Sequence, residues 1–210
     1  MRTDILTEQE LNENSRMNLK MGYYQTVTVN ETVLDRTYKQ DISIDGKTFN
    51  CIAHYIQYQK CKTWGMSNDI LSHILYKYTA DYPTKTTKDY INFEDQFINS
   101  HLKEISQIPD QYRTKWREVC PYATAEAVLS AYEQSYTFKT ALNESKKSLL
   151  VEISPCILWG IDTENFSSDT ISNPINWRGE NLYGQVLMAI RDKYHASLFT
   201  KFKTLINKKL

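Results

Sequence analysis

Between residues 25 and 50 apolar and polar side chains alternate. Gln25, Val27 and Val29 stand against Thr26 and Thr28, and Ile42 and Ile44 resume the pattern further on. A period of two sends successive side chains to opposite faces, which is the mark of a strand. Asp45-Gly46 follows, a pair suited to a tight turn. A β-hairpin or small antiparallel sheet is predicted within residues 23–50.

From Ile52 the pattern turns helical. Residues 52–64 contain neither Gly nor Pro, and in residues 69–79 Ile70, Ile74 and Leu75 form one stripe. DYPTKTTKDY interrupts as a loop. A further helix is expected over 91–107, with Phe93, Phe97, Leu102 and Ile105 apolar, and another starts after Pro109. ATAEAVLSAYEQSYTFKTALNES is rich in helix formers. SLLVEISP then reads as a short strand stopped by Pro155. Residues 162–180 hold Ser, Asp, Asn, Pro and Gly, a loop long enough to suggest function. The remainder, from Asn181 to Leu210, reads as one or two amphipathic helices. No internal repeat is present. The sum is an α+β chain: one mainly helical domain with a small antiparallel sheet near the N-terminus. Residues 1–20 would be an N-terminal arm, residues 21–210 the domain, and 66–112 an insertion in it.

Composition narrows the function classes. Lys+Arg and Asp+Glu each number 25 in 210 residues, so the chain as a whole has no general attraction for nucleic acid. Four cysteines form no CxxC pair, and with four histidines there is no zinc pattern. No metal or cofactor is expected. The N-terminus lacks an apolar signal core, and no apolar run nears the ~20 residues of a membrane span. The expectation is a cytoplasmic protein with free thiols and no membrane partner. Fifteen Tyr and four Trp supply rings able to line a wet pocket.

The unusual stretch is HYIQYQK, residues 54–60, a helix carrying amides and rings but only one charge. On a helix Ala53, Ile56, Gln57, Lys60 and Trp64 share a face, with Tyr55 and Gln59 beside it. One amine would then share a surface with an amide and an indole. Such a lysine either acts as a base or amine nucleophile, or snorkels to water along Trp64.

DGKTFNCIAHYIQYQK resembles the signature of the NADAR superfamily of YbiA-like N-glycosidases. Asp45, Gly46, Lys47, His54, Tyr55, Gln57, Gln59 and Lys60 carry the likeness. LLVEISPCILWGID is similar to a second family block through Glu152, Trp159 and Gly160. GENLYGQVLMAIR is similar to a third through Gly179, Asn181, Gly184, Leu187, Met188 and Arg191, and Trp116 fits the tryptophan before the central helix. The blocks come in family order. The resemblance implies cleavage of an N-glycosidic bond. The substrate would be either ADP-ribose on guanine in DNA or a phosphoribosylamine of riboflavin synthesis. Family members of the first kind reverse a toxin's mark, in phages as counter-defence.

It also implies a ligand of ADP-ribose or ribose-phosphate type, with single-stranded DNA as a candidate partner. Lys60, position 53 and Glu152 would be catalytic. His54, Tyr55, Gln57, Trp64, Trp159, Gly160, Asn181 and Gly184 would line the substrate. Asn181 would meet a ribose or cap the last helix, whose N-terminus would attract phosphate.

The chain departs from the family pattern in several places. Ala53 stands where the family has Glu, Cys156 replaces an aspartate, and Ala131 replaces a lysine on the central helix. Asp35, Arg36 and Thr37 take the place of a Ser-Asn-Phe loop. Glycosidic cleavage needs an acid for the leaving group and charge near a developing oxocarbenium, and alanine supplies neither. Three accounts stay open: a disabling substitution, a binder that has lost catalysis, or chemistry through Lys60 as an amine attacking ribose C1, supported by Glu152.

Overall fold

A computed structural model of the chain describes residues 26–81, 100–146, 148–154, 156–161, 171 and 177–192. The expected arm at 1–20 and the tail beyond 192 lie outside these residues. So do residues 91–99 of the helix expected over 91–107 and most of the 162–180 loop.

The described elements run β1 (Thr26–Thr28), β2 (Ile42–Ile44), β3 (Lys47–Phe49), α1 (Ile52–Thr63), α2 (Asn68–Asp81), α3 (Leu102–Ser106), α4 (Asp110–Gln134), α5 (Tyr136–Glu144), β4 (Leu149–Val151) and α6 (Leu182–Arg191). This is the mainly helical architecture with little sheet that the sequence predicts. Asp45 and Gly46 both have positive φ (50° and 72°), the backbone of a tight hairpin turn. They join β2 to β3 as an antiparallel pair with Ile42 opposite Phe49.

The first strand goes elsewhere. β1 pairs in parallel with β4, Thr26 beside Leu149 and Thr28 beside Val151, so the expected single sheet is two separate two-stranded pairs. The polar/apolar period shows that a strand exists but not which strand it meets. Val29 N–H donates to the Val151 carbonyl at 2.9 Å. Asn30 then continues the ladder with its side chain: Nδ2 donates to the Ile153 carbonyl at 2.9 Å, and Oδ1 accepts from Ile153 N at 2.7 Å.

α4 is the axis of the core. α1 packs along it, α6 crosses its other side, and β4 lies against α6. The buried cluster joins Ile52, Tyr55 and Ile56 of α1, Trp116, Ala123, Ala127 and Ala131 of α4, and Tyr183 and Leu187 of α6. Small alanines on α4 let its neighbours approach closely. Pro121 lies inside α4, where it lacks an N–H to donate. The chain breaks at Ser135, whose extended backbone ends α4 and whose hydroxyl caps α5 by accepting from Phe138 N at 3.3 Å. Among the described residues no helix is long and apolar enough to cross a membrane.

Candidate functional site

The end of β4 and the turn between β1 and β2 meet around Glu152. Asp35 builds that turn: one carboxylate oxygen accepts from Thr37 N at 2.8 Å and Thr37 Oγ1 at 2.7 Å, the other from Glu31 N at 2.9 Å. Arg36 is thereby aimed across the molecule. Its Nε donates to Glu152 Oε1 at 2.8 Å, and its guanidinium lies 5.3 Å from the centre of the Trp159 ring. The other Glu152 oxygen, Oε2, is buried with no hydrogen-bond partner. Burial pushes the Glu152 carboxyl pKa up, against the pull of Arg36.

A rigid frame holds this carboxylate. Asn181, wholly buried, accepts from Glu152 N at 3.0 Å and donates to the Leu150 carbonyl at 2.9 Å. Its backbone is left-handed (φ 49°), a conformation Asn tolerates better than most residues. Ile161 N–H donates to the Glu152 carbonyl at 3.0 Å. Gly160 has no room for a Cβ, which would collide with that same carbonyl, and at Gly184 one would collide with the Leu150 carbonyl. Three of the expected substrate contacts, Asn181, Gly160 and Gly184, lie against the backbone of β4 and the residues just after it, where they position Glu152. Asn181 does not cap α6 with its side chain.

The motif helix divides similarly. Ala53 packs with Cys51, Cys61 and Ile74, on the side toward α2, and Gln57 Nε2 donates to Cys61 Sγ at 3.8 Å. The expected common face therefore splits, since Ile56 and Trp64 join the cluster around α4 instead. Tyr55 is buried, donating through its hydroxyl to Glu126 and accepting from Gln59 Nε2 at 2.7 Å. Burial first, then the Glu126 carboxylate, raise its pKa. Tyr55 and Gln57 are thus packing residues.

Lys60 remains half-buried at the α1–α4 seam, its Nζ 5.3 Å from the Trp64 ring centre. On α4, burial pushes the Cys120 thiol up to about 12, while Thr124, Lys60 and Arg36 pull it down. Trp64 and Trp159 are both half-buried, as stacking surfaces must be. Among the described residues no group of three or more His, Cys, Asp or Glu could hold a metal ion.

Residues 16–195 match the family model for the NADAR domain. The chain belongs to the NADAR family. Among solved structures, the NMR structure of the E. coli protein YbiA is similar at 19% identity and a TM-score of 0.51, covering 81% of this chain and 86% of that one. At that identity the likeness concerns the fold. No curated protein matches.

In this NADAR domain the family-like histidine is structural. Asn50 N–H donates to His54 Nδ1 at 3.1 Å, so Nε2 carries the proton and donates to the Ile74 carbonyl at 3.2 Å. Burial pulls its pKa down to about 4, opposed by the bond to Ile74. The unfolded chain takes up this proton near pH 6.5 and the folded chain only near 4. Between those values the unfolded state binds more protons, so acidification through the window costs stability, ~3 kcal/mol in full. Glu152, with its raised pKa, works the other way, its contribution being lost as pH rises through the folded value. Denaturant midpoints at pH 7 and pH 4 should show the loss, and His54→Gln, which keeps one acceptor and one donor, should remove most of it. An unchanged pH dependence in that variant would refute the assignment.

Arg36 and Glu126 are functional candidates that the sequence does not mark. Arg36 has a faint signal in its place at the altered Ser-Asn-Phe loop. Glu126 has none beyond being an acid on an otherwise apolar stretch of helix.

Proposed function

We propose that this NADAR protein is an N-glycosidase-type hydrolase that removes ADP-ribose from a modified base, guanine in single-stranded DNA, undoing the mark of a DNA-modifying toxin. The observation that carries this reading is the buried Glu152 carboxyl. One oxygen is fixed by Arg36, the other has no partner, and the pKa is raised. A carboxylic acid so placed can give up a proton to a leaving group at neutral pH.

In the proposed step the bond between ribose C1 and the base nitrogen breaks, its electron pair leaving with the base and a proton arriving from Glu152. Lys60 gives one proton to solvent, and its Nζ forms the bond to C1. The ring oxygen then leaves with the amine's proton, giving an iminium that water hydrolyses to free ADP-ribose and Lys60. Trp159 and Trp64 offer ring faces for the base or the adenine. In this scheme Ala53 takes no part.

The second reading, a nucleotide binder without catalysis, draws on Ala53, which packs with Cys51, Cys61 and Ile74 where an acid would otherwise stand. The decisive assay is release of ADP-ribose from ADP-ribosylated single-stranded DNA. Release, with borohydride trapping an adduct that Lys60→Ala abolishes, is the expected result. Release without an adduct would replace Lys60 by water as nucleophile. Tight ADP-ribose binding with no release from DNA would establish the binder, and turnover of a phosphoribosylamine alone would make it a small-molecule enzyme.

A further inference from the structure

Residues 34–36 are pinned from three sides. The Leu34 carbonyl accepts from the Tyr183 hydroxyl of α6 at 2.7 Å. Asp35 holds its own turn through Thr37 and Glu31. The Arg36 carbonyl accepts from Ala53 N at the start of α1 at 2.8 Å. The Arg36 side chain therefore leaves a fixed backbone. It reaches Glu152 through Nε, the guanidinium nitrogen nearest the main chain, at 2.8 Å, a usual length for a charge-assisted bond. Its guanidinium also lies 5.3 Å from the Trp159 ring centre, within the ~6 Å over which an indole attracts a cation. Backbone, carboxyl and ring together leave this arginine little freedom.

The bond makes the two Glu152 oxygens unlike. Oε1 accepts from a cationic N–H. In a carboxylic acid the carbonyl oxygen is the better acceptor and the hydroxyl oxygen carries the donor. A protonated Glu152 therefore keeps Oε1 as the carbonyl toward Arg36 and bears its proton on Oε2. Oε2 is buried and has no hydrogen-bond partner among the described residues, so none of their groups draws that proton away. An acid gives up its proton from the oxygen that bears it, which makes Oε2 the donating atom.

We infer that Arg36, held against Trp159, is the positioning residue of the site and places the transferable proton of Glu152 on Oε2. It acts through the carboxyl it holds rather than on a ligand. Its part in turnover rests on the glycosidase reading, whereas its hold on the carboxyl does not.

The test uses the full chain and two readouts. The first is release of ADP-ribose from ADP-ribosylated single-stranded DNA by Arg36→Met and Arg36→Lys, each alone and combined with Glu152→Gln. Arg36→Met should lower kcat about 10- to 100-fold, the range of a lost hydrogen bond to a charged group. Arg36→Lys, which keeps the charge but not the planar fork, should recover part of the loss. In the Glu152→Gln background either change should alter kcat by no more than about twofold, because the group it positions is no longer an acid. A merely structural arginine would cost the same factor in both backgrounds, and that result would overturn the proposal. Arg36→Lys serves the same comparison if the methionine variant fails to fold.

The second readout is the titration of the Glu152 carboxyl by carbon NMR, its resonance assigned by its loss in Glu152→Gln. Arg36 pulls the Glu152 pKa down, so the midpoint should move to higher pH in Arg36→Met and return toward the parent's in Arg36→Lys. An unmoved midpoint in Arg36→Met would overturn the hold on the carboxyl. If no form releases ADP-ribose but the midpoint moves, Arg36 keeps its place beside Glu152 and the glycosidase reading falls.

Discussion

On the proposed glycosidase reading, Glu152→Gln should lower the rate of ADP-ribose release by about a thousandfold, within the 10²–10⁴ range that a general acid contributes, and leave the fold intact. The amide keeps an oxygen for Arg36 Nε, which donates to Glu152 Oε1 at 2.8 Å in the parent chain. It also removes a carboxylate whose ionisation burial opposes, so thermal stability should hold or rise slightly. Loss of rate without loss of stability separates catalysis from packing. The pH profile should carry the same information: on the proposed reading, activity of the parent should fall on the alkaline side as the raised Glu152 pKa is passed, since the acid must hold its proton. Full activity in Glu152→Gln would remove the carboxyl from the chemistry.

Asn181→Ala should be the most damaging single change to the frame. It strands a buried N–H at Glu152 and one acceptor position of the Leu150 carbonyl, each previously satisfied by one side chain. Each unsatisfied buried group costs ~1–3 kcal/mol, so a loss of ~4 kcal/mol is expected. Alanine also fits the left-handed backbone (φ 49°) less well than Asn. For a chain of this size the drop in Tm should be roughly 10 °C, measured by calorimetry. Activity should fall further than stability alone predicts, because Glu152 loses its anchor. An Asn181→Ala protein with parent-like Tm would refute the frame.

The elements were legible where local chemistry decides them. Asp45-Gly46 specified its turn, and the helix runs after Ile52, Asn68 and Asp110 carry no Gly and few breakers. Pairing across the chain was not legible. Thr26–Thr28 looks like a hairpin partner for nearby strands, yet Leu149–Val151 outcompetes them, with Asn30 extending the match through its amide. In the site, the residue types in the family-like blocks singled out Glu152, Lys60 and the two tryptophans as candidates. They could not say which groups face inward to the backbone. Asn181, Gly160 and Gly184 read equally well as ligand contacts until the Leu150 and Glu152 carbonyls are seen to occupy their space. Arg36 was missed for a plainer reason. An arginine's reach is long, and its partners Glu152 and Trp159 are fixed by tertiary contact.

The parallel union of Thr26–Thr28 with Leu149–Val151 has a consequence for biosynthesis. A nascent chain emerging from the ribosome can close the 42–49 hairpin and wind its helices early, since their contacts are local. The segment bearing Glu152 cannot dock until more than a hundred intervening residues have been made, and it waits further for Asn181 to arrive. The frame around Glu152 is therefore the last of these contacts to close. Ribosome-stalled fragments ending before residue 181 should be helical yet inert.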